Sequence, residues 1–235
     1  MPTLSHVPAR NRILSMLGKA EYRRLQPSLE LITLRTNAVL YAPGDVVRYI
    51  YFPNDAVVSL LFGVEERRAV EVAMEGNEGA VGLAVYLGGL RSSNLSIVRD
   101  AGTAMRLDVN VLTMRANRRG GLQGLLHKSI HALVMQIAQS GVCSRFHNIE
   151  ERLARWLLMT QDRVGSSEFC ATQESIARML GVRRSSVTAA ASGFHKQNMI
   201  DYHRGRIEIL NQPGMRAATC SCYGVIKRQY DSFLK

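Results

Sequence analysis

The chain has 235 residues, 46% of them hydrophobic and 21% charged, which excludes a disordered chain and allows one large domain or two ordinary ones. Thirty Lys and Arg stand against 19 Asp and Glu, a net charge of +11, and the last 85 residues are about twice as basic per residue as the first 150. That balance suits a polyanionic partner, because each cation near a phosphate releases condensed counterions. No apolar segment separates the charges of the first thirty residues and no apolar run approaches twenty residues. Neither a secretory signal nor a membrane span is therefore expected, and the expected location is the cytoplasm.

Residues 1 to about 30 carry a stripe of Ile13, Leu14, Leu17, Tyr22, Leu25 and Leu29 that predicts a helical start. From residue 31 to about 112 the pattern changes to short β runs separated by turns. Val39-Leu40-Tyr41 precedes the turn Pro43-Gly44-Asp45, and Tyr49-Ile50-Tyr51-Phe52 precedes Pro53-Asn54-Asp55. A run from residue 57 to 62 follows, then Val70, Val72 and Met74 in alternation, then the runs around Ile97 and Met105. Many short strands at near-regular spacing predict an antiparallel jelly roll or sandwich.

Past Gly120-Gly121, Leu126, Ile130, Leu133 and Ile137 recur at steps of four, three and four on a helix of about 25 residues. This is either a dimer seam or the buried face of one helix, and its place between two domains favours the dimer. In the next helix, ERLARWLLMTQDRVG, Leu153, Trp156, Leu157 and Thr160 are assigned to the inner face.

The stretch TQESIARMLGVRRSSVTAAASGFHKQNMI predicts helix, turn, helix. Thr172 caps the first helix with Glu174 in its first turn, and Ile176, Ala177 and Leu180 face inward. Gly181 reverses the chain and Val182 plugs the turn. The second helix buries Val187, Ala190 or Ala191, and Phe194, leaving Arg184, Ser185, Thr188, Ala189 and Ser192 on the opposite face. Such a face, short near the backbone and guanidinium-bearing at its tip, suits the major groove, where arginine grips guanine O6 and N7 with two bonds. Residues 200–210 then form two alternating runs meeting at Arg204-Gly205, a tight hairpin with an arginine-rich tip. A helix-turn-helix followed by a basic hairpin is a winged helix. The competing structural reading, a helical hairpin inside an ordinary domain, requires the glycine turn, the arginine pair and the basic wing to coincide by accident.

On TQESIARMLGVRRSSV and the upstream ERLARWLL, the sequence resembles the Crp/Fnr family of bacterial transcription regulators, and the likeness spans nearly the whole chain. The resemblance implies a homodimer with two recognition helices about one DNA turn apart, reading a pseudo-palindromic operator on double-stranded DNA, with RNA polymerase as a further partner of activating members. Two departures limit it. Family members often read DNA with an Arg-Glu pair and an Arg four residues after the Glu, whereas here Arg184 is followed by Ser185, and Ala189 takes the later position. In cyclic-nucleotide-binding members a Gly-Glu pair holds the ribose, whereas Gly82 is followed by Leu83. Cyclic AMP is therefore not expected at the usual site, although Arg91-Ser92-Ser93 could grip an anion of an unidentified effector. Iron–sulfur members use cysteines near the N-terminus, and this chain has none before Cys143.

Other chemistries find less support. A cupin-type enzyme needs histidines on the strands, but none of the six lies in the β region, and no P-loop or nucleophile–base pair is visible, so no enzyme is expected. His127 and His131 have metal-compatible spacing, yet Lys128 stands where a zinc protease has its glutamate; they are candidates for lining an effector pocket, with helix flanking the simpler alternative. Cys220-Ser221-Cys222 is expected to be two partly buried cysteines on a terminal helix, with a redox or soft-metal pair as the alternative, and no metal or cofactor is assigned.

The expected architecture is α+β: an N-terminal antiparallel β jelly roll over 1–119, a long dimerisation helix over 120–148, and a C-terminal winged helix-turn-helix over 149–235. The candidate DNA-binding residues are Thr172, Gln173, Arg183, Arg184, Ser185, Ser186, Thr188, Arg204 and Arg206. The candidate effector residues are Arg91, Ser92, Ser93, His127 and His131, and the candidate seam is Leu126, Ile130, Leu133 and Ile137. A partner-binding adaptor whose winged helix does not read DNA is the alternative. The basic face of Arg183, Arg184, Lys196, Arg204 and Arg206, with few balancing acids, argues against it.

Overall fold

The computed structural model describes residues 10–63, 69–116 and 121–233. The N-terminal apolar stripe is not one helix. It is divided between α1 (Arg12–Ser15) and α2 (Lys19–Leu25), and Leu29 opens a strand, β1 (Leu29–Leu34). Residues 1–9 of the expected helix lie outside the described residues. Asn11 sets the start of α1: its side-chain oxygen accepts from the N–H groups of Ile13 and Leu14 while its amide donates to the carbonyls of Pro53 and Gly79. Gly18, with extended backbone, separates the two helices. The stripe still does its work, since Ile13, Leu14, Leu17 and Leu25 are buried.

The expected strands form as β2 (Val39–Tyr41), β3 (Tyr49–Pro53), β4 (Val57–Gly63), β5 (Ala69–Glu75), β6 (Leu95–Asp100) and β7 (Gly102–Asp108). All pairings are antiparallel, in one sheet of order β1-β7-β3 and another of order β2-β6-β4-β5. Ile50, Phe52, Val58, Val98 and Leu107 fill the space between them. A short helix, α3 (Val109–Ala116), leaves β7, and the 26-residue α4 (Gly121–Phe146) follows. The expected change of domain at residue 120 lies outside the described residues.

The seam on α4 needs correction. Leu126 is fully buried within the protomer, in the core of the sheet domain, and Ile130 and Leu133 are half-buried against that same core. Leu126 is therefore not available to a partner chain. The apolar residues of α4 that stay exposed include Val134 and Ile137, which lie with Ile130 and Gly141 on the flank away from Leu122, Ser129 and Gln136. The reason is position along the helix: Leu126 and Ile137, eleven residues or about three turns apart, share one face, and the roll covers its first turns and leaves the later ones exposed.

The C-terminal region comprises α5 (Ile149–Val164), β8 (Glu168–Cys170), α6 (Gln173–Leu180), α7 (Arg184–Lys196), β9 (Ile200–His203), β10 (Arg206–Ile209), α8 (Gln212–Ala218) and α9 (Cys222–Phe233). Its core, around Leu153, Leu157, Ile176, Val187 and Phe194, runs without a break into Val57, Leu61 and Met74 of the roll. Polar groups cross the same junction. The Trp156 indole N–H donates to Glu71 at 2.9 Å, and the Arg99 guanidinium lies over the Trp156 ring and donates to Thr160. Deeper in, Arg163 pairs with Glu78 at 2.7 Å and donates to Gln136 of α4, and Gln136 donates to the carbonyl of Met74. The Tyr230 hydroxyl of α9 donates to Glu75 at 2.8 Å. Gly79 makes this packing possible, because a Cβ there would fall 1.5 Å from a Glu75 oxygen. Among the described residues no helix is long and apolar enough to cross a membrane.

Candidate nucleic-acid interface

Thr172 starts α6 with a capping box: its hydroxyl oxygen accepts from the Ser175 N–H, and the Ser175 side chain accepts from the Thr172 N–H. The Gln173 N–H donates to the Tyr202 hydroxyl on β9, so this helix end is anchored to the wing. Gly181 ends α6 at φ +65°, in the left-handed region, and a Cβ there would meet Val70 of β5 at 2.5 Å. The turn is thus fixed both by backbone conformation and by contact with the roll.

Helix α7 buries Val187, Ala190, Ala191 and Phe194. Arg183, Arg184, Ser185, Thr188, Ala189 and Ser192 are exposed, and Ser186 is half-buried. No acidic residue stands in the first turn of α7. Two guanidinium groups therefore meet the positive end of the helix dipole and its uncapped N–H groups, a combination that attracts phosphate. Thr188 is less free than expected, since its hydroxyl donates to the Gln173 side chain at 2.6 Å and lies 3.1 Å from the Arg184 carbonyl. These bonds hold Gln173 and Thr188 as one polar unit joining the two helices.

In the wing, Arg204 at φ +48° and Gly205 at φ +80° form the two-residue turn, as the alternating runs required. Arg204 is exposed. Arg206 is exposed too but pairs with Glu168 of β8 at 2.6 Å, a hydrogen bond that raises the guanidinium pKa further. Strand β8, pairing with β10 to make a three-stranded wing, was not anticipated; at three residues, Glu168-Phe169-Cys170 is too short to show alternation.

Among the candidate effector residues, Arg91 lines a cavity with Arg48, Tyr49, Leu90 and Asp108. Arg91 donates to the carbonyl of Gly44, and the buried Ser92 donates to the carbonyl of Asn94. Both brace the loop around Asp45, while Ser93 is exposed. His127 and His131 are exposed on α4, with the His127 ring 5.7 Å from that of Tyr86. Gly82 adopts φ +95°, and Leu83, which follows it, is buried.

Residues 151–218 match the family model described as the Crp-like helix-turn-helix domain. A search of curated proteins returned no match. Among solved structures, FixK2 from Bradyrhizobium japonicum superposes with a TM-score of 0.71 at 15% identity, covering 82% of this chain and 98% of that one. A putative Crp/Fnr-family transcriptional regulator from Eubacterium rectale gives 0.66 at 13%, covering 88% and 96%. The CRP-family regulator TTHB099 from Thermus thermophilus gives 0.67 at 14%, covering 80% and 95%. Roll, long helix and winged helix together are the Crp/Fnr fold. With its Crp-like helix-turn-helix domain at residues 151–218, the chain is a DNA-binding transcription regulator that has the fold of the Crp/Fnr regulators.

Proposed function

We propose that the protein acts as a homodimer on a pseudo-palindromic operator in the cytoplasm, with the two copies of α7 entering successive major grooves. Arg184 reads a guanine. Ser185, Ser186 and Thr188 contact bases or phosphate, and Arg183, with Thr172 and Gln173 at the start of α6, holds the adjoining phosphates. Arg204 and Arg206 clamp the backbone from the wing. The observation that carries this reading is the exposed, acid-free leading face of α7. The dimer is formed by the outer flank of α4, with Ile130, Val134 and Ile137, and RNA polymerase is a further partner at promoters.

Control runs through the junction. Glu78, just past β5, Arg163 on α5 and Gln136 on α4 form one bonded set, Glu75 at the end of β5 and Tyr230 on α9 form another, and the Arg163 guanidinium over the Tyr230 ring joins the two. A change in the roll that moves β5 therefore re-aims the winged domain relative to the dimer helix. The effector is not cyclic AMP bound in the family's usual way, since Leu83 offers the ribose no carboxylate. Selection of bound duplexes from a random DNA pool by the purified protein, without ligand, tests the proposal. Recovery of a symmetric motif supports it. A monomeric motif removes the dimer, and no enrichment, with or without cell extract, removes sequence reading and favours an adaptor.

A further inference from the structure

The end of α4 and the corner between α8 and α9 bring together four side chains with no part in DNA binding. Cys143 and His147 stand four residues apart on one side of the α4 C-terminus, where the His147 N–H still donates to the Cys143 carbonyl at 3.1 Å. Cys220 and Cys222 flank Ser221 at the start of α9. The donor atoms, three Sγ and one imidazole nitrogen, all lie within 4.8 Å of one another. Cys143 Sγ is 3.6 Å from Cys220 Sγ, and Cys222 Sγ is 3.5 Å from His147 Nδ1.

These separations have a chemical meaning. A tetrahedral zinc ion with Zn–S of about 2.3 Å and Zn–N of about 2.0–2.1 Å sets S···S edges of about 3.8 Å and S···N edges of about 3.6 Å. Two of the six edges already have those lengths, and the others need the donors to close in by at most about 1 Å. The surroundings suit an anionic centre. Three thiolates, a neutral imidazole and a divalent ion carry one net negative charge, and the buried Arg155 guanidinium interacts electrostatically with Cys143, as does that of Arg152. The Gln139 amide donates to Cys222 Sγ at 3.0 Å, a bond of the kind that orients ligating sulfur. The three sulfurs form a buried cluster of their own, apart from both apolar cores.

We infer that Cys143, His147, Cys220 and Cys222 form a closed structural site for a thiophilic divalent cation, zinc being the ion whose Cys3His geometry they match. Binding displaces the protons that remain on the thiols, and the complete protein ligand set leaves no position for substrate. The site ties the α4–α5 hinge, where Asn148 caps α5, to α9 across 77 residues of sequence. The ion thereby fixes the winged domain against the dimer helix, independently of which operator is read.

The test uses the full-length protein purified under reducing conditions, stripped with chelator and titrated with Co2+ and then Zn2+. The expected result is one equivalent per chain, with thiolate-to-cobalt charge-transfer bands and the intense visible bands of tetrahedral cobalt, both displaced by zinc. His147→Asn and Cys222→Ser should each weaken binding by at least about tenfold and alter those bands. Cys170→Ser, at an exposed cysteine outside the cluster, should bind normally. Circular dichroism of the apo variants separates ligand loss from misfolding, and His147→Asn, at a half-buried site, serves where a cysteine variant does not fold. Octahedral or substoichiometric cobalt, or unchanged affinity in a folded His147→Asn, overturns the site. So does a count of two rather than four reactive thiols in denatured, never-reduced protein, which would assign Cys143 and Cys220 to a redox disulfide instead.

Discussion

Arginine does opposite work in two regions of this molecule. On α7, Arg183 and Arg184 are exposed, and in the proposed complex a phosphate or guanine edge replaces the water around them. At the junction between roll and winged domain, Arg163 is buried, and burial is tolerable there because Glu78, Gln136 and the Met159 carbonyl meet its donors. Removing an exposed arginine deletes a contact, whereas removing a buried one also strands its partners. In the proposed function the first region sets what is recognised, and the second sets how rigidly the reader is held.

The largest effect is expected where that contrast is sharpest. Arg163→Ala leaves Glu78 buried without its counter-ion beside Glu75 and should cost about 3–5 kcal/mol of unfolding free energy, read from denaturant melts. A loss below about 1 kcal/mol would mean that the junction is wet and does not couple the domains.

Next comes a pH dependence confined to the junction. Burial, reinforced by the Glu78 carboxylate and opposed by Arg163, raises the Glu75 pKa from 4.5 to about 8. One Glu75 oxygen accepts from Tyr230 and the other is buried without a hydrogen-bond partner among the described residues, which suits a protonated acid. A raised carboxyl pKa favours folding fully below the ordinary value, and the contribution is lost as pH climbs through the folded value. Glu75→Gln, neutral at every pH, should therefore gain stability relative to the wild type as pH rises from about 4.5 to about 8. A constant difference across that window would show that Glu75 stays ionised.

The smallest effects belong to the wing. Arg204→Ala should weaken binding about equally for all sequences and lower the salt slope by about 1. Arg206→Ala should lower it less, because its guanidinium is already bonded to Glu168. Equal slopes would show that DNA displaces Glu168 from Arg206.

The winged helix was the most legible part of the sequence because local chemistry decides it: a cap at Thr172, a left-handed glycine at 181, apolar spacing in α7 and a hairpin turn at Arg204-Gly205. Strand order was not local. β1 was hidden because Leu29 continued a helical stripe and its pairing with β7 spans most of the roll. The seam on α4 went wrong for a related reason: periodicity shows that a face is apolar without saying whether roll or partner covers it, and Leu126 proved to belong to the roll. The junction was invisible, since Glu75, Glu78, Arg163 and Tyr230 look like ordinary surface residues until the fold brings them together. The four-donor cluster divides in the same way, with the pair at 220 and 222 conspicuous in the sequence and its partners at 143 and 147 supplied by the fold.

The most direct test of the account is the affinity of the wild type and of Arg184→Ala for the selected operator and for each of its single-base-pair variants. Base reading by α7 predicts that Arg184→Ala loses about 1–3 kcal/mol on the operator and stops discriminating at one G·C pair in each half-site, with the other positions unchanged. An equal loss on every sequence would contradict it and make Arg184 a phosphate contact.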